Sequence, residues 1–580
     1  MIWCSDFETV NKRDDCRVWC WKAIEIHETE EFTGLTINDF FVWLETLPNR
    51  DLIYFHNLKF DGEFIVHFLL AHGFILQKGR VKTRPNTFRT LIGDMGQWYA
   101  VSITLSNGNT IDIYDSLKIW NFSIAELAPS MGMEISKGDL DYDMYRPVGY
   151  EPTPKEWDYI DRDVRIACKA MRIMLDTGYT KMTAGSNALW DYRMTIGKKK
   201  WEYWFPSLSM EEDTFIRKSY RGGWTYCNPT YKNQEIGDGI VLDVNSLYPS
   251  RMYNEVMPYG EPVYFQGKYK PNKIYPLHIQ HINVDFKLKK GFFPTLQAKH
   301  SMRFAKTEYI TSTNGEPLEL TLTGVDMELM FEHYDVNLIE YIDGYCFKGV
   351  KGMFNEYIDK WMDVKEKASV EHDKPRRNQA KLFMNSLYGK FAKRPTGYSK
   401  FPELSETGAV RLVRGEEEEM GGLYIPVGTF ITSYARAYTI RSAQKVHDRF
   451  LYADTDSLHL MGTEIPEGLT VHESHLGAWK KEATFHRAMY IGAKCYAEEI
   501  YVSRETLDDF LEENSESACQ CDYDNLTLLQ LTVAGMPAKS KKKIAFADFR
   551  EGLVIRDKLV PKHVPGGVVL EKTTFEIKIR

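Results

Sequence analysis

The stretch Phe450-Leu451-Tyr452-Ala453-Asp454-Thr455-Asp456-Ser457-Leu458-His459-Leu460 reads as two short apolar strands around an acidic turn. Such a turn presents its carboxylates at a hairpin tip, where a bound cation can offset their mutual repulsion. Taken alone, Asp-Thr-Asp reads better as an Asx-rich hairpin turn. Far upstream, Ile240-Val241-Leu242-Asp243 is a short apolar run ending in a carboxylate, the pattern of a buried strand. It leads into Val244-Asn245-Ser246-Leu247-Tyr248-Pro249. Between the two acidic motifs, residues 376–391 read as a helix. Lys381, Asn385 and Tyr388 stand at i, i+4 and i+7 and share one face. Residues 374–394 hold seven basic side chains and no acidic one. Carboxylates for metal ions, a cation for phosphates and an aromatic ring for a base are together what nucleotidyl transfer needs.

A second carboxylate set lies in the first third of the chain, where strand-like and helix-like patterns alternate up to about residue 183, as in an α/β domain. Asp6 and Glu8 stand two apart on a predicted strand and so point to one side. Asp61 is expected where a strand meets a helix beginning near Gly62. Tyr159 and Asp163 stand four apart on a predicted helix. Four carboxylates and a tyrosine suit two-metal phosphodiester hydrolysis, in which ions about 3.5–4 Å apart activate a water and steady the leaving oxygen. The tyrosine would orient that water.

Composition narrows the class further. With 43% hydrophobic and 27% charged residues, the 580-residue chain is a globular protein of several domains, not a disordered one. Its most apolar stretch, residues 64–76, carries His67 and His72 and reads as a core helix, so no membrane span is expected. Acidic residues at positions 6 and 8 interrupt any signal peptide. Nine cysteines are too few and too scattered for a disulfide scaffold, which favours a reducing compartment. The net charge of −8 opposes a nucleic-acid partner only on average, because binding surfaces are local. Residues 198–200, and Lys539 with residues 541–543, form further basic clusters. The acidic run 416–419 reads as a solvated loop.

These motifs together resemble the family B DNA polymerases, specifically their protein-primed subgroup. The likeness runs from Asp6 to Val564-Pro565-Gly566-Gly567-Val568-Val569-Leu570 and takes in Tyr220-Arg221-Gly222-Gly223, Asn385-Ser386-Leu387-Tyr388-Gly389-Lys390 and Lys494-Cys495-Tyr496. It implies a multidomain α/β and α+β chain: an RNase H-like 3′–5′ exonuclease domain (1–183), then a right-hand polymerase with two insertions. Those parts would be palm (184–254 and 426–533), a terminal-protein-contacting insertion (255–352), fingers (353–391), a clamp-like insertion (392–425) and thumb (534–580). In the second insertion Arg394-Pro395-Thr396-Gly397-Tyr398 is expected to turn, with strands at Leu412-Val413 and Leu423-Tyr424-Ile425.

The same resemblance implies residue roles. Asp243, the Val244 carbonyl and Asp456 would ligate the polymerase metals, with Asp454 nearby. Lys365 and Lys381 would hold the triphosphate, and Tyr248, Asn385 and Tyr388 would line the nucleotide pocket. Tyr220, Arg221, Gly222 and Gly223 would touch template, and Lys494 and Tyr496 the primer. Asp6, Glu8, Asp61 and Asp163 would ligate the exonuclease metals, assisted by Tyr159 and Lys137. Asn57, Phe60, Phe64, Ser116, Leu117 and Phe122 would grip a frayed primer end. Implied cofactors are two Mg²⁺ per site, with Mn²⁺ as a substitute. Implied partners are primer-template DNA, dNTPs, a terminal protein primer and a single-strand binding protein, for a monomer in the cytoplasm of an infected bacterium. Arg377 stands where the family has lysine, and residues 503–530 match poorly. A glycosidase would need neither the basic helix nor a second acid cluster, and a non-catalytic binder would need no metal sets. An RNA polymerase is disfavoured by Tyr248, whose ring beneath the sugar would meet a 2′-hydroxyl.

Overall fold

The computed structural model describes residues 1–79, 82–135, 138, 140–142, 144–297 and 309–578. Lys137 lies outside them. Two sheets carry the two acidic sets. The first has eight strands in the order Glu31–Gly34, Val18–Glu25, Ile2–Thr9, Leu52–Phe55, Thr110–Asp115, Trp98–Thr104, Thr87–Ile92 and Ile75–Leu76. Ile2–Thr9 pairs antiparallel with Val18–Glu25 and parallel with Leu52–Phe55. Strand alternation sends Trp3 and Phe7 into one aromatic core and Cys4, Asp6 and Glu8 toward the other face. Cys4 there packs with Cys168 of the helix Pro154–Asp176. That helix is started by a capping box between Thr153 and Glu156, which satisfies its first free N–H groups.

The second sheet is antiparallel, with nine strands among the described residues. Gly239–Val244 lies at its centre between Ser457–Met461 and Trp479–Gly492. Its near-continuous burial is what an apolar run predicts for a central strand. The hairpin Phe450–Asp454/Ser457–Met461 turns at Thr455 and Asp456. A separate four-stranded sheet, Val256–Gln266, Tyr334–Lys351, Leu277–Leu288 and Leu318–Thr323, carries the helix Gly324–His333. Two long helices, Asn355–Val370 and Lys374–Phe391, pack on each other through Tyr357, Trp361 and Phe383. No helix among the described residues is long and apolar enough to cross a membrane.

Several local expectations change. The Asp61 helix begins at Leu58, because Asn57 adopts a left-handed conformation (φ 73°) and turns the chain straight out of its strand. It ends at Ala71, before a left-handed Gly73, so residues 64–76 are not one helix. Residues 392–425 form a hairpin of Thr396–Leu404 with Val410–Glu419. Thr396, Gly397 and Tyr398 pair with Glu419, Glu418 and Glu417, so that segment is strand and the acidic run is an exposed strand end, not a loop. The turn falls at residues 405–409, and Tyr424 leads into the helix Ile425–Lys445. Within 503–530 stand a helix, Arg504–Glu513, and a strand, Thr527–Val533, that extends the second sheet.

One buried ion pair ties these units together. Arg436 of the Ile425–Lys445 helix holds Asp326 of the Gly324–His333 helix with two short bonds (2.7 and 2.8 Å). Its remaining nitrogen donates to the carbonyls of Arg221 and Gly222, both at 2.8 Å. Burial pushes the Asp326 carboxyl up, but the Arg436 guanidinium pulls it further down, below the ordinary carboxylate range. Removing one partner leaves the other charge buried and unpaired. Asp326→Ala is expected to cost about 3–5 kcal/mol, read as a fall in the denaturant midpoint. An unchanged midpoint would show that the pair holds nothing.

Candidate active sites

The hairpin turn and the central strand meet in one cavity of about 540 Å³. Asp243 lies opposite Ser457, and the Val244 N–H donates to the Asp456 carbonyl at 2.8 Å. Thr455 takes φ 62°, its N–H donates to Trp224 O (2.8 Å) and its carbonyl accepts from Thr439 Oγ1 (2.7 Å). Gly223 packs on it so closely that an added Cβ would lie 2.5 Å from Thr455 Oγ1. The loop at residues 220–223, fixed by Arg436, therefore fixes the acidic turn. Arg221 is occupied internally: its guanidinium donates to the Ser219 and Thr321 carbonyls, and burial lowers it to about 10.

The three aspartates differ. Asp454 accepts from Lys494 Nζ (2.9 Å) and Thr225 Oγ1 (2.9 Å). Asp243 is raised to about 7, chiefly by burial, then by Asp456 and Glu482. Asp456 is raised by burial and by Asp454 and Glu482. Glu482 was not singled out in the sequence. A bulge between Val241 and Leu242 gives it no partner in the register with Trp479–Gly492, and it lines the cavity. Such bulges re-aim a side chain beside active sites.

Near the acidic set a group of cations gathers. Lys365 is lowered by burial and then by the positive charges of Arg377, Lys381 and Lys480. Lys480, a further residue the sequence reading passed over, pairs in register with Asp243. Four neighbouring cations call for a polyanion between them. Tyr248 and Tyr388 stack, centroids 4.0 Å apart, and line the same cavity, as does Tyr496. Asn385 is exposed on the basic helix.

The second acidic set also assembles. Asp61 is raised by burial, then by Asp6, Glu8 and Asp115, and its Oδ1 is buried without a hydrogen-bond partner. Gly62 lets its helix approach the sheet, for a Cβ would lie 2.7 Å from the Trp98 ring. Tyr159 is raised by burial, Asp163, Tyr142 and Glu8, and its hydroxyl bonds that of Tyr142 at 2.6 Å. Beside this set, His56, also missed in the sequence, donates from Nε2 to Phe122 O (2.7 Å) and has Nδ1 2.9 Å from Ser116 Oγ. The N–H groups of Asn57 and Leu117 both donate to Asp115. Asn57, Ser116, Leu117 and Phe122 thus form one cluster. Phe60 is half-buried next to Phe64. Phe64 itself is buried under Gly567, so it supports Phe60 instead of facing a strand.

A family model described as DNA polymerase type B, organellar and viral, matches residues 45–474. The chain belongs to this family. The DNA polymerase of Bacillus phage phi29 is 44% identical, covering 99% of this chain and 98% of that one. That of Streptococcus phage Cp-1 is 32% identical, with the same coverage. A solved structure titled phi29 DNA polymerase complexed with primer-template DNA and incoming nucleotide substrates matches with TM-score 0.90 and 42% identity over the whole of both chains. This type B polymerase is therefore a multidomain α/β enzyme with exonuclease and polymerase domains, and exonuclease activity and divalent-metal use are characteristic of its family. Its 44%-identical relatives are proteins of Bacillus phages, which makes it an enzyme of phage type acting in an infected host.

Among the described residues no three His, Cys, Asp or Glu side chains form a ready-made metal cage. The donors nevertheless fit a hard divalent cation. Mg²⁺ takes one or two carboxylates and completes its shell with water and substrate phosphates, and in both sites burial and neighbouring carboxylates raise an aspartate: Asp243 and Asp456 in one, Asp61 in the other. Binding must displace the proton that Asp243 carries below about pH 7. Affinity for Mn²⁺, read by electron paramagnetic resonance, should therefore rise several-fold from pH 6 to pH 8. A flat response would remove Asp243 from the ligand set.

Proposed function

We propose that this polymerase is a processive, strand-displacing, protein-primed replicase with 3′–5′ proofreading, using two Mg²⁺ or Mn²⁺ ions in each of two sites. The observation that carries the reading is the gathering of Asp243, Asp456 and Glu482 with the Tyr248–Tyr388 stack in one cavity, with Lys381 close enough to lower Asp243 and grouped with Lys365, Arg377 and Lys480. Asp243, Asp456 and the Val244 carbonyl would hold the polymerase ions, whose charge would favour a 3′-oxygen nucleophile and stabilise the departing pyrophosphate. The cations would orient the dNTP triphosphate, and the Tyr248 ring would stand beneath the sugar and meet a ribose 2′-hydroxyl. Lys494 would exchange Asp454 for the primer backbone. Asn385 would join the nucleotide pocket, and Tyr220 with Gly222 and Gly223 would border the template.

In the other site Asp6, Glu8, Asp61 and Asp163 would hold the ions. Its raised pKa keeps Tyr159 a phenol, which orients a water by hydrogen bonding and does not act as the base. The Asn57, Phe60, Ser116, Leu117 and Phe122 cluster would receive the frayed end. Asp456→Ala is expected to abolish primer extension with dNTPs and spare single-strand degradation. Asp6→Ala with Asp61→Ala should do the reverse. Loss of both activities in a folded Asp456→Ala protein would defeat the two-site reading.

The insertion 255–352 would meet a terminal protein primer, and single-strand binding protein would cover displaced strands in the bacterial cytoplasm, where the enzyme works as a monomer. Residues 392–425 would close a ring around DNA. Their hairpin bridges the first sheet between Ser399 and Gly93 and pairs Arg414 with Asp94 at 3.1 Å. The hairpin tip reaches Pro565 of the C-terminal hairpin Val554–Val564/Gly567–Glu576. A closed ring holds template topologically. Removing residues 398–420 should leave nucleotide addition on a short primed oligonucleotide intact and shorten rolling-circle products at least tenfold under competitor DNA. Products as long as the parent's would end the clamp reading.

A further inference from the structure

Two hairpin tips meet on one imidazole. His67 lies on the Leu58–Ala71 helix, beyond Asp61. Its Nε2 accepts the N–H of Gly566, at the turn of the C-terminal hairpin, at 3.0 Å. The backbone of Gly408, at the turn of the insertion hairpin, lies near the ring and favours a proton on it. Both turns are left-handed glycines, φ 96° and 80°, and the Gly408 backbone lies beside Pro565. Val410 and Val564 share one apolar cluster with Phe64 beneath. The C-terminal hairpin has independent anchors: Asn11 exchanges two hydrogen bonds with Leu570, and Arg13 pairs with Glu571.

We infer that neutral His67 is the latch joining the two hairpin tips, a positioning residue for processive synthesis that lets go when protonated. The inference rests on the ring reading above. A neutral imidazole offers one donor and one acceptor, and here the acceptor takes the Gly566 N–H. An imidazolium has two donors, so its Nε2–H would confront the Gly566 N–H.

The surroundings also favour the neutral ring. Burial lowers His67 below the usual histidine range, and His72 adds to that. On the same helix lie Lys59 and Glu63, and on the C-terminal hairpin His563, which pairs with Glu63 at 3.3 Å. The insertion turn carries Glu406. Among the described residues none of these bonds the His67 ring. Released, His67 would titrate near its ordinary value of about 6.5. The latched state, with the lower pKa, is favoured above that value and weakens as pH falls through it, by up to about tenfold per unit.

The test compares three chains from pH 5.5 to 8.0: the unaltered protein, His67→Asn and His67→Leu. An asparagine amide keeps a donor and an acceptor but does not titrate. Leucine fills the space without either. Rolling-circle product length under competitor DNA is read against single-nucleotide addition at the same pH, with the unfolding midpoint as a control on folding. The unaltered chain should make products several-fold shorter at pH 5.5 than at 8.0. The Asn variant should be long at every pH and the Leu variant short at every pH. An Asn variant with the parental pH profile, or a folded Leu variant with long products, overturns the latch. If removing residues 398–420 shortens products while His67→Leu does not, the latch fails and the ring stands. If neither shortens them, the ring itself is wrong.

Discussion

Carboxylates gathered out of water raise one another's energy, and this chain does so at two separate places. Asp243 with Asp456 and Glu482, and Asp61 with Asp6 and Glu8, are each held together at the expense of their anionic forms. Such clusters persist only when the backbone around them is over-determined. At the first site the over-determination is visible atom by atom. Asp326 holds Arg436, Arg436 holds the carbonyls of residues 221 and 222, Gly223 packs on Thr455, and Thr455 separates the two aspartates.

That chain of contacts also explains why the 255–352 insertion is more than an appendage. Its helix supplies Asp326, so the geometry of the acidic turn depends on a segment far from it in sequence. A partner docked on residues 255–352 would act on the same helix that steadies the loop at residues 220–223.

Much of this was legible in the sequence because it is local. Strand alternation puts Asp6 beside Glu8, helical spacing puts Tyr159 beside Asp163, and an apolar run puts Asp243 at a strand end. What was not legible depends on register. Glu482 enters the cavity only because of a bulge that no pattern in Trp479-Lys480-Lys481-Glu482 announces, although two polar residues two apart on a strand were a usable hint. Lys480 required knowing which strand pairs with Asp243. Phe64 looked like its neighbour Phe60, yet a turn some 500 residues later covers it. The hairpin at 396–419 was shifted because Gly397 and Pro395 suggest a turn, while cross-strand pairing with an acidic run makes strand of both.

The C-terminal hairpin ties together segments that lie far apart in sequence. Its turn rests on the helix that carries Asp61 and reaches the tip of the 392–425 hairpin, so three segments distant in sequence close on a single helix face. On the ring reading proposed above, a primer end that left the polymerase cavity would travel inside that closure to reach Asp61. Holding such a ring shut would then serve both proposed activities: it would retain the template during synthesis and keep a frayed end within reach of the second acidic set. Opening at the hairpin tips would weaken both at once, although no residue of either metal set had moved. On the function proposed above, encirclement and proofreading would be one mechanical property of the fold, set by contacts that belong to neither active site.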